Sequence, residues 1–285
     1  MAAISADPTD PTTAPTRTAT RTARSRAVPV VPVLVLVVVG LWAVVPGLFT
    51  HQDPFVGDPA LQFLPPSVQH VFGTDQLGRD VFARVVHGTR PAVLTALFAV
   101  GIGFLVGSLT GLVAGFFGGV LDAVLGRFID VVLAVPSFLL AVIVVVSLGF
   151  ETVNAAIAVG SSSIAVFARV IRSETLKVKN LPFVESSYLV GGNRFQVLFQ
   201  HVLPSAYRSV VALAVLQFGV AILNISGLAF LGYGSPPPAA DWGLQVADGK
   251  DFLYRYPWLV YAPGLVMVAT VVSLNKLSRS VGRGR

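Results

Sequence analysis

The residues of this chain that could do chemistry are few, and their spacing excludes most catalysis. No G-x-x-x-x-G-K-[ST] loop occurs in the 285 residues, and Gly101-Ile102-Gly103 lies inside an apolar run with the wrong spacing for a dinucleotide turn. His51, His70, His87 and His201 show no metal-ligand spacing such as H-E-x-x-H and read as loop or interface residues. With zero cysteines there is no thiolate metal site, disulfide framework or cysteine nucleophile. The remaining candidates are polar groups set in apolar runs. Asp130, close behind Arg127, reads as half of an interfacial ion pair, while Gln217 and Asn224 can hydrogen-bond between helices or line a pathway. No Asp, Glu or His stands at mid-run to relay protons, which argues against a proton-coupled carrier. The expectation is a chain with no catalytic residue, no metal and no bound cofactor.

The elements that carry these residues belong in lipid. Hydrophobic residues make up 54% of the chain and charged residues 12%, against about 25% charged in an ordinary soluble protein, and mean hydropathy is +0.76. The net charge of +6 does not point to nucleic acid, because the basic residues sit between apolar runs and not on one soluble face. Six membrane helices are predicted, at 28–49, 91–117, 128–148, 153–171, 206–232 and 257–275, giving an all-α integral membrane protein. Residues 1–27, rich in Thr, Pro, Ala and Arg, form a disordered tail in this reading. Residues 28–90 hold the first helix and an external loop, 91–278 a five-helix core that contains a cytoplasmic loop at 172–204, and 279–285 a short C-terminal tail.

Lys and Arg concentrate in the segments that are internal if the N-terminus is inside, leaving only Arg79, Arg84, Arg90, Lys250 and Arg255 outside. Both termini and the 172–204 loop are therefore expected to face the cytoplasm of a bacterial-type inner or plasma membrane. Trp42, Tyr256, Trp258 and Tyr261 fall in or near the runs, where such rings anchor at headgroup depth. Gly103, Gly107, Gly111, Gly115 and Gly119 repeat every four residues along one stripe, suited to close helix packing within the chain or to a subunit or sliding interface. Pro136 is expected to kink the third helix.

The 172–204 loop is far longer than the roughly 2–8 residues that join packed helices. It contains Glu185-Ser186-Ser187-Tyr188-Leu189-Val190-Gly191, then nine residues, then His201-Val202-Leu203-Pro204. Its pattern predicts a short helix, a break at Gly191 and Gly192, a second apolar-periodic helix with Phe195, Leu198 and Phe199, and a stop at Pro204. The arrangement resembles the E-A-A, three residues, G, nine residues, I-x-L-P loop of ABC importer permeases. Glu185 takes the acidic position, Ser186 and Ser187 replace the alanines, Gly191 is the glycine, and Leu203 and Pro204 are the terminal pair. His201 departs from the isoleucine but is similar to the ending found in peptide-type permeases. The resemblance implies a type I importer permease fold in which this loop is a coupling helix seated in a separate ATPase subunit. Glu185 could pair there with a basic or amide group, and Gly191 permits a bend that a Cβ would hinder.

Two further segments narrow the resemblance to the C-type subunit of dipeptide, oligopeptide and nickel permeases. Gly73-Thr74-Asp75-Gln76-Leu77-Gly78-Arg79-Asp80 is similar to that group's external signature, and its two acids, one arginine and two glycines suit a folded, ion-paired turn. A scaffold role and a substrate contact are both compatible with it. Leu231-Gly232-Tyr233-Gly234, Pro236 to Pro238, Asp241-Trp242-Gly243 and Asp248-Gly249 are again similar to the group, and could either receive a substrate-binding protein or cap the helix ends. The family implies a second permease subunit as heterodimer partner, two ATPase domains that bind ATP and Mg, an extracytoplasmic binding protein, and lipid. Peptide is the expected substrate, with nickel or another small solute as the alternative and a secondary transporter acting alone as the rival.

Overall fold

The computed structural model describes residues 30–282; the predicted 1–27 tail and residues 283–285 lie outside the described residues. The described chain is a helical bundle whose long members are α2 (Val81–Phe117), α5 (Thr152–Lys179), α8 (Leu203–Phe230) and α10 (Trp258–Gly282). Between them come α1 (Val30–Val44), the pair α3 (Gly119–Ala134) and α4 (Ser137–Leu148), the short helices α6 (Pro182–Leu189) and α7 (Arg194–Val197), and α9 (Trp242–Gly249). The four long helices are apolar and long enough to cross a membrane, α3 with α4 makes a broken fifth span, and α1 is a shorter apolar helix. These six helical segments match the six predicted spans in number and order.

Their boundaries differ for local reasons. The first span ends at Val44 and not near 49, because the backbone leaves the helical region at Val45 before Pro46, whose ring disfavours helical backbone in the residue ahead of it. The second begins at Val81, not 91, so the predicted division between 28–90 and 91–278 falls inside a helix. The Asp80 carboxylate caps it, its Oδ1 accepting from the Ala83 N–H at 2.7 Å, and Pro91 is carried within the helix. The third span is broken outright: α3 and α4 meet at 91°, with Val135 extended ahead of Pro136. The fourth continues through the polar turns Arg172 to Lys179, which shortens the 172–204 excursion to residues 180–202.

α2 and α5 lie parallel and in backbone contact. A Cβ built on Gly103 would sit 2.8 Å from Ser163 Cβ, on Gly107 2.4 Å from Ile164 O, on Gly111 2.2 Å from Ala168 O and on Gly115 2.9 Å from Thr175 Cβ. The glycine stripe is thus spent on packing inside the chain. Gly119, the fifth predicted member, lies outside it: it opens α3 with φ +60 and nothing within 4 Å. The core on this pair and α8 includes Phe167, Ile171, Ile222 and Leu228, all fully buried. Side chains on the outer surface of α2, such as Leu94, Leu97, Leu105 and Leu109, stay more than half exposed, as lipid-facing residues do. The bundle has two ends, a loop end that collects residues 45–80 and 231–257 and a short-helix end that collects 180–202.

Candidate functional site

At the short-helix end, paired charges fasten the frame. The Arg172 guanidinium donates to Asp122 on α3, Nη2 to Oδ2 at 2.9 Å, and Arg169 pairs with Asp130. Asp130 was expected to answer Arg127; the bend at Val135 and Pro136 instead sets α3 beside α5, within reach of Arg169. Lys179 Nζ donates to the Phe116 carbonyl at 2.7 Å, a cation placed on the open C-terminal carbonyls of α2.

The loop beyond Lys179 is built by three local rules. Pro182 opens α6 at a position where a missing N–H costs nothing, and Glu185 lies in the first turn, where a carboxylate meets the positive end of the helix dipole. Gly191 ends the helix at φ +95, a left-handed backbone that glycine adopts freely, and the Gly192 N–H donates to Ser187 O at 2.9 Å. The Asn193 side chain then starts α7, accepting from Gln196 N at 2.7 Å. α7 passes through a π turn, Leu198–Val202, directly into α8, so Pro204 is not the predicted stop; it sits in the first turn of α8, where proline is tolerated.

One side of this hairpin is anchored and the other bare. Val184, Val197, Leu198 and Val202 are buried, and the Phe183 ring meets the edge of the His201 imidazole with centroids 6.0 Å apart. That contact gives His201 a packing role. In the opposite direction Leu189 is 84% exposed, Val190 90% and Phe195 65%, a bare apolar tip on a fixed base. Glu185, Ser186 and Pro204 are exposed, with Ser187 and Leu203 half-buried. Ser186 Oγ donates to Pro182 O at 2.8 Å, so this hydroxyl is used inside its own helix.

At the loop end, the predicted signature folds into one knot. Asp75 Oδ1 accepts from the Leu77 and Arg79 N–H groups at 2.9 Å each, and Arg79 Nε donates to Asp75 Oδ2 at 2.7 Å. Thr74 Oγ1 bridges Leu61 O and Leu64 N, and Asp80 Oδ2 lies 2.9 Å from His70 Nδ1. Gly73 and Gly78 both take φ +74, and a Cβ on Gly78 would fall 1.9 Å from Asp58 O. Asp75, Arg79 and Asp80 are buried, the two carboxylates held by backbone N–H groups, Arg79 and His70. Of the aromatic residues predicted near headgroup depth, Trp42, Tyr256 and Trp258 also pack here while Tyr261 stays exposed: Trp258 Nε1 donates to Thr74 O at 3.3 Å, and Trp42 lies edge-on to Phe82 at 5.8 Å.

Arg84, in a segment the sequence places outside, is 2% exposed. Nη1 donates to Pro54 O at 2.9 Å and Nη2 to Ala239 O at 3.0 Å, which ties the 45–80 loop to the proline run. The signal available was Arg79 and Arg84 standing beside Asp75 and Asp80 in a charge-poor chain. Trp242 is also fully buried, its indole N–H donating to Val85 O at 2.9 Å, so this ring helps close the helix ends.

Asp241 caps α9, Oδ1 accepting from Gly243 N at 2.8 Å and Leu244 N at 3.1 Å, while burial pushes its carboxyl above the usual carboxylate range against the pull of those donors. Because the folded pKa is raised, the stability this group contributes grows as pH falls through the folded value and is complete below the unfolded one, near ~3.9. Asp241→Asn keeps the capping oxygen and removes the titration. Its melting temperature in detergent is expected to equal or exceed that of the native chain at neutral pH, with the gap closing toward about pH 4; a native chain more stable at neutral pH would contradict this.

Long apolar helices, few charges within them and a bare helical hairpin at one end define a membrane-spanning transport subunit. The comparisons with known proteins agree. The family model for binding-protein-dependent transport system inner membrane components matches residues 107–284, and the chain belongs to that family. It is 32% identical over 96% of its length to the dipeptide transport system permease protein DppC of Alkalihalophilus pseudofirmus, covering 90% of that protein. It is 34% identical over 86% to the glutathione transport system permease protein GsiD of Pectobacterium atrosepticum, covering 81% of it. The probable D,D-dipeptide transport system permease protein DdpC of Escherichia coli is 34% identical over 88% of this chain and 82% of its own length. Among solved structures, an inward-facing MetNI methionine ABC transporter chain superposes with a TM-score of 0.57 at 15% identity, over 70% of this chain and 97% of that one. An amino acid ABC transporter chain superposes at 0.54 and 16% identity, over 69% and 91%. These likenesses show the fold of an importer permease. The chain is accordingly a multi-pass inner-membrane permease subunit of an ABC importer, not an enzyme, and its family works with ATPase and substrate-binding partners.

Proposed function

We propose that this chain is the C-type permease subunit of a peptide importer, pairing with a second, different permease subunit over two ATPase domains that bind ATP and Mg. The bare apolar tip at Leu189, Val190 and Phe195 carries this reading, because an exposed apolar cluster beside an ordered polar helix calls for a protein partner. Glu185, Ser186, Ser187 and Gly191 shape the helix that enters the ATPase, and Leu203 and Pro204 join it to the membrane. In this orientation the short-helix end and both termini are cytoplasmic and the loop end is external, as the distribution of Lys and Arg favours. The buried knot of Gly73, Thr74, Asp75, Gly78, Arg79 and Asp80 serves as scaffold. Dipeptide, D,D-dipeptide and glutathione in the names of its relatives favour a peptide cargo over nickel.

The mechanism follows from continuity. The hairpin runs through the π turn into α8 without a break, and α8 spans 28 residues, about 42 Å at 1.5 Å per residue. Closure of the ATPases moves the hairpin, and α8 carries that displacement to Phe230 at the loop end. Alternating access results if ATP and solute each favour a different packing of the bundle. Detergent co-purification with the neighbouring ATPase tests the contact. Glu185→Lys and Gly191→Trp are expected to lose the ATPase, or to retain it without solute-stimulated hydrolysis; normal capture and transport by both variants would refute the coupling role.

A further inference from the structure

The loop end presents a side chain that its own fold leaves uncovered. Tyr254 is 103% exposed, and it follows the 3₁₀ turn Lys250–Phe252 together with Leu253, 40% exposed, and Arg255. The turn itself is fixed: Arg255 N and Tyr256 N both donate to Phe252 O, at 3.0 and 2.8 Å. Its base is clamped, with Tyr256 stacked on Phe63 at 4.1 Å and Phe252 tilted against the same ring at 5.1 Å. Phe63 holds φ +56, uncommon for a bulky residue, and its N–H donates to Asp75 O at 3.2 Å, which ties the clamp to the buried knot. The result is a rigid stalk with a bare Tyr beside a Leu and an Arg. Tyr and Arg are the residues that dominate binding energy at protein interfaces, and ordering them in advance lowers the cost of association.

Beside the stalk lies a polar pocket of about 390 Å³, lined by Gln76, Asp248, Lys250 and Asp251 and by the end of α8 at Phe230 to Gly232. Burial raises the Asp248 carboxyl above its ordinary range, with the Arg84 guanidinium pulling it back. Resting on the importer reading, in which this end is external, we propose that Leu253–Arg255 is the contact through which this subunit receives the solute-binding protein, with Tyr254 its anchor. The pocket then lies under the docked partner, at the end of the helix that carries the coupling motion. The family's dependence on a binding protein supplies the class of partner. A lipid headgroup is the competing occupant. Trp258 and Tyr261 fit that role on the apolar helix α10 itself, whereas the Tyr254 turn stands on the loop residue Phe63 and is flanked by Lys250, Asp251 and Arg255.

The test titrates the purified binding protein of the same system onto the assembled importer in nanodiscs. Tyr254→Ala is expected to raise Kd by about tenfold or more and Tyr254→Phe to recover most of the affinity, as loss of a hot-spot ring requires. Val68→Ser, at another bare site of the same end (99% exposed), is the control and should leave Kd unchanged. A rise for Tyr254→Ala of less than about threefold overturns the anchor. Unaltered affinity with a melting temperature lowered only in lipid overturns it in favour of a membrane contact. If the native complex fails to bind the binding protein at all, the importer reading falls with it, a result distinct from one in which native and Val68→Ser bind and Tyr254→Ala does not.

Discussion

Gly111→Leu is expected to leave little or no folded protein. Even a Cβ at this position would lie 2.2 Å from the Ala168 carbonyl oxygen and 3.0 Å from its carbon and Cα, and backbone atoms cannot rotate away as a side chain would. Relief therefore requires α2 and α5 to separate, which takes Gly107 away from Ile164 O and Gly115 away from Thr175. Overpacking a core costs about 1–3 kcal/mol where neighbours can adjust; here the clash is with the helix axis itself, and the expected loss lies at or above the top of that range. Gly101→Leu on the same helix is the control, because nothing lies within 4 Å of its built Cβ. Monodisperse yield in detergent and thermal unfolding decide the matter. A Gly111→Leu variant as stable as Gly101→Leu would mean that the two helices are not packed as described.

That contact was half legible in the sequence. Glycines spaced by four place small residues on one stripe whatever the surroundings, so the stripe could be read, but nothing local says which helix fills it. Gly119 failed because the period was extended past Gly118, where φ +69 has already ended α2. The start of α2 was missed for a related reason. Arg84, His87 and Arg90 interrupt the apolar run, and only the tertiary partners of Arg84 make a helix there sensible; Asp80, a good capping residue, was the available local sign. The 180–202 hairpin was more legible because its short helix and glycine break are set by local chemistry, while the passage of α7 into α8 through a π turn depends on packing under Val197 and Val202. The pairing of Asp130 with Arg169 depends on the bend at Pro136, and the sequence locates such a bend without giving its angle.

The same dependence on distant partners makes Arg84 the residue whose loss should damage the loop end most. Its guanidinium joins segments far apart in the chain, donating to Pro54 O and Ala239 O, and its Nε lies 3.8 Å from Asp75 Oδ2. Arg84→Met preserves most of the volume and removes every donor. The Pro54, Pro238 and Ala239 carbonyls then lose this donor, the first of them in a buried position, and Asp75 keeps Arg79 alone as counter-charge. Breaking a buried charge pair from one side costs about 3–5 kcal/mol, so the variant is expected to unfold at a much lower temperature or fail to accumulate. Arg84→Lys retains the charge, but a single ammonium cannot reproduce a planar fork that reaches two carbonyls, so an intermediate melting temperature is expected. Thermal unfolding of the three proteins in one detergent orders them as Arg, Lys, Met. If Met proved as stable as Arg, the guanidinium would not be what holds the loop end together, and the clamp under Tyr254 would need another explanation for its rigidity.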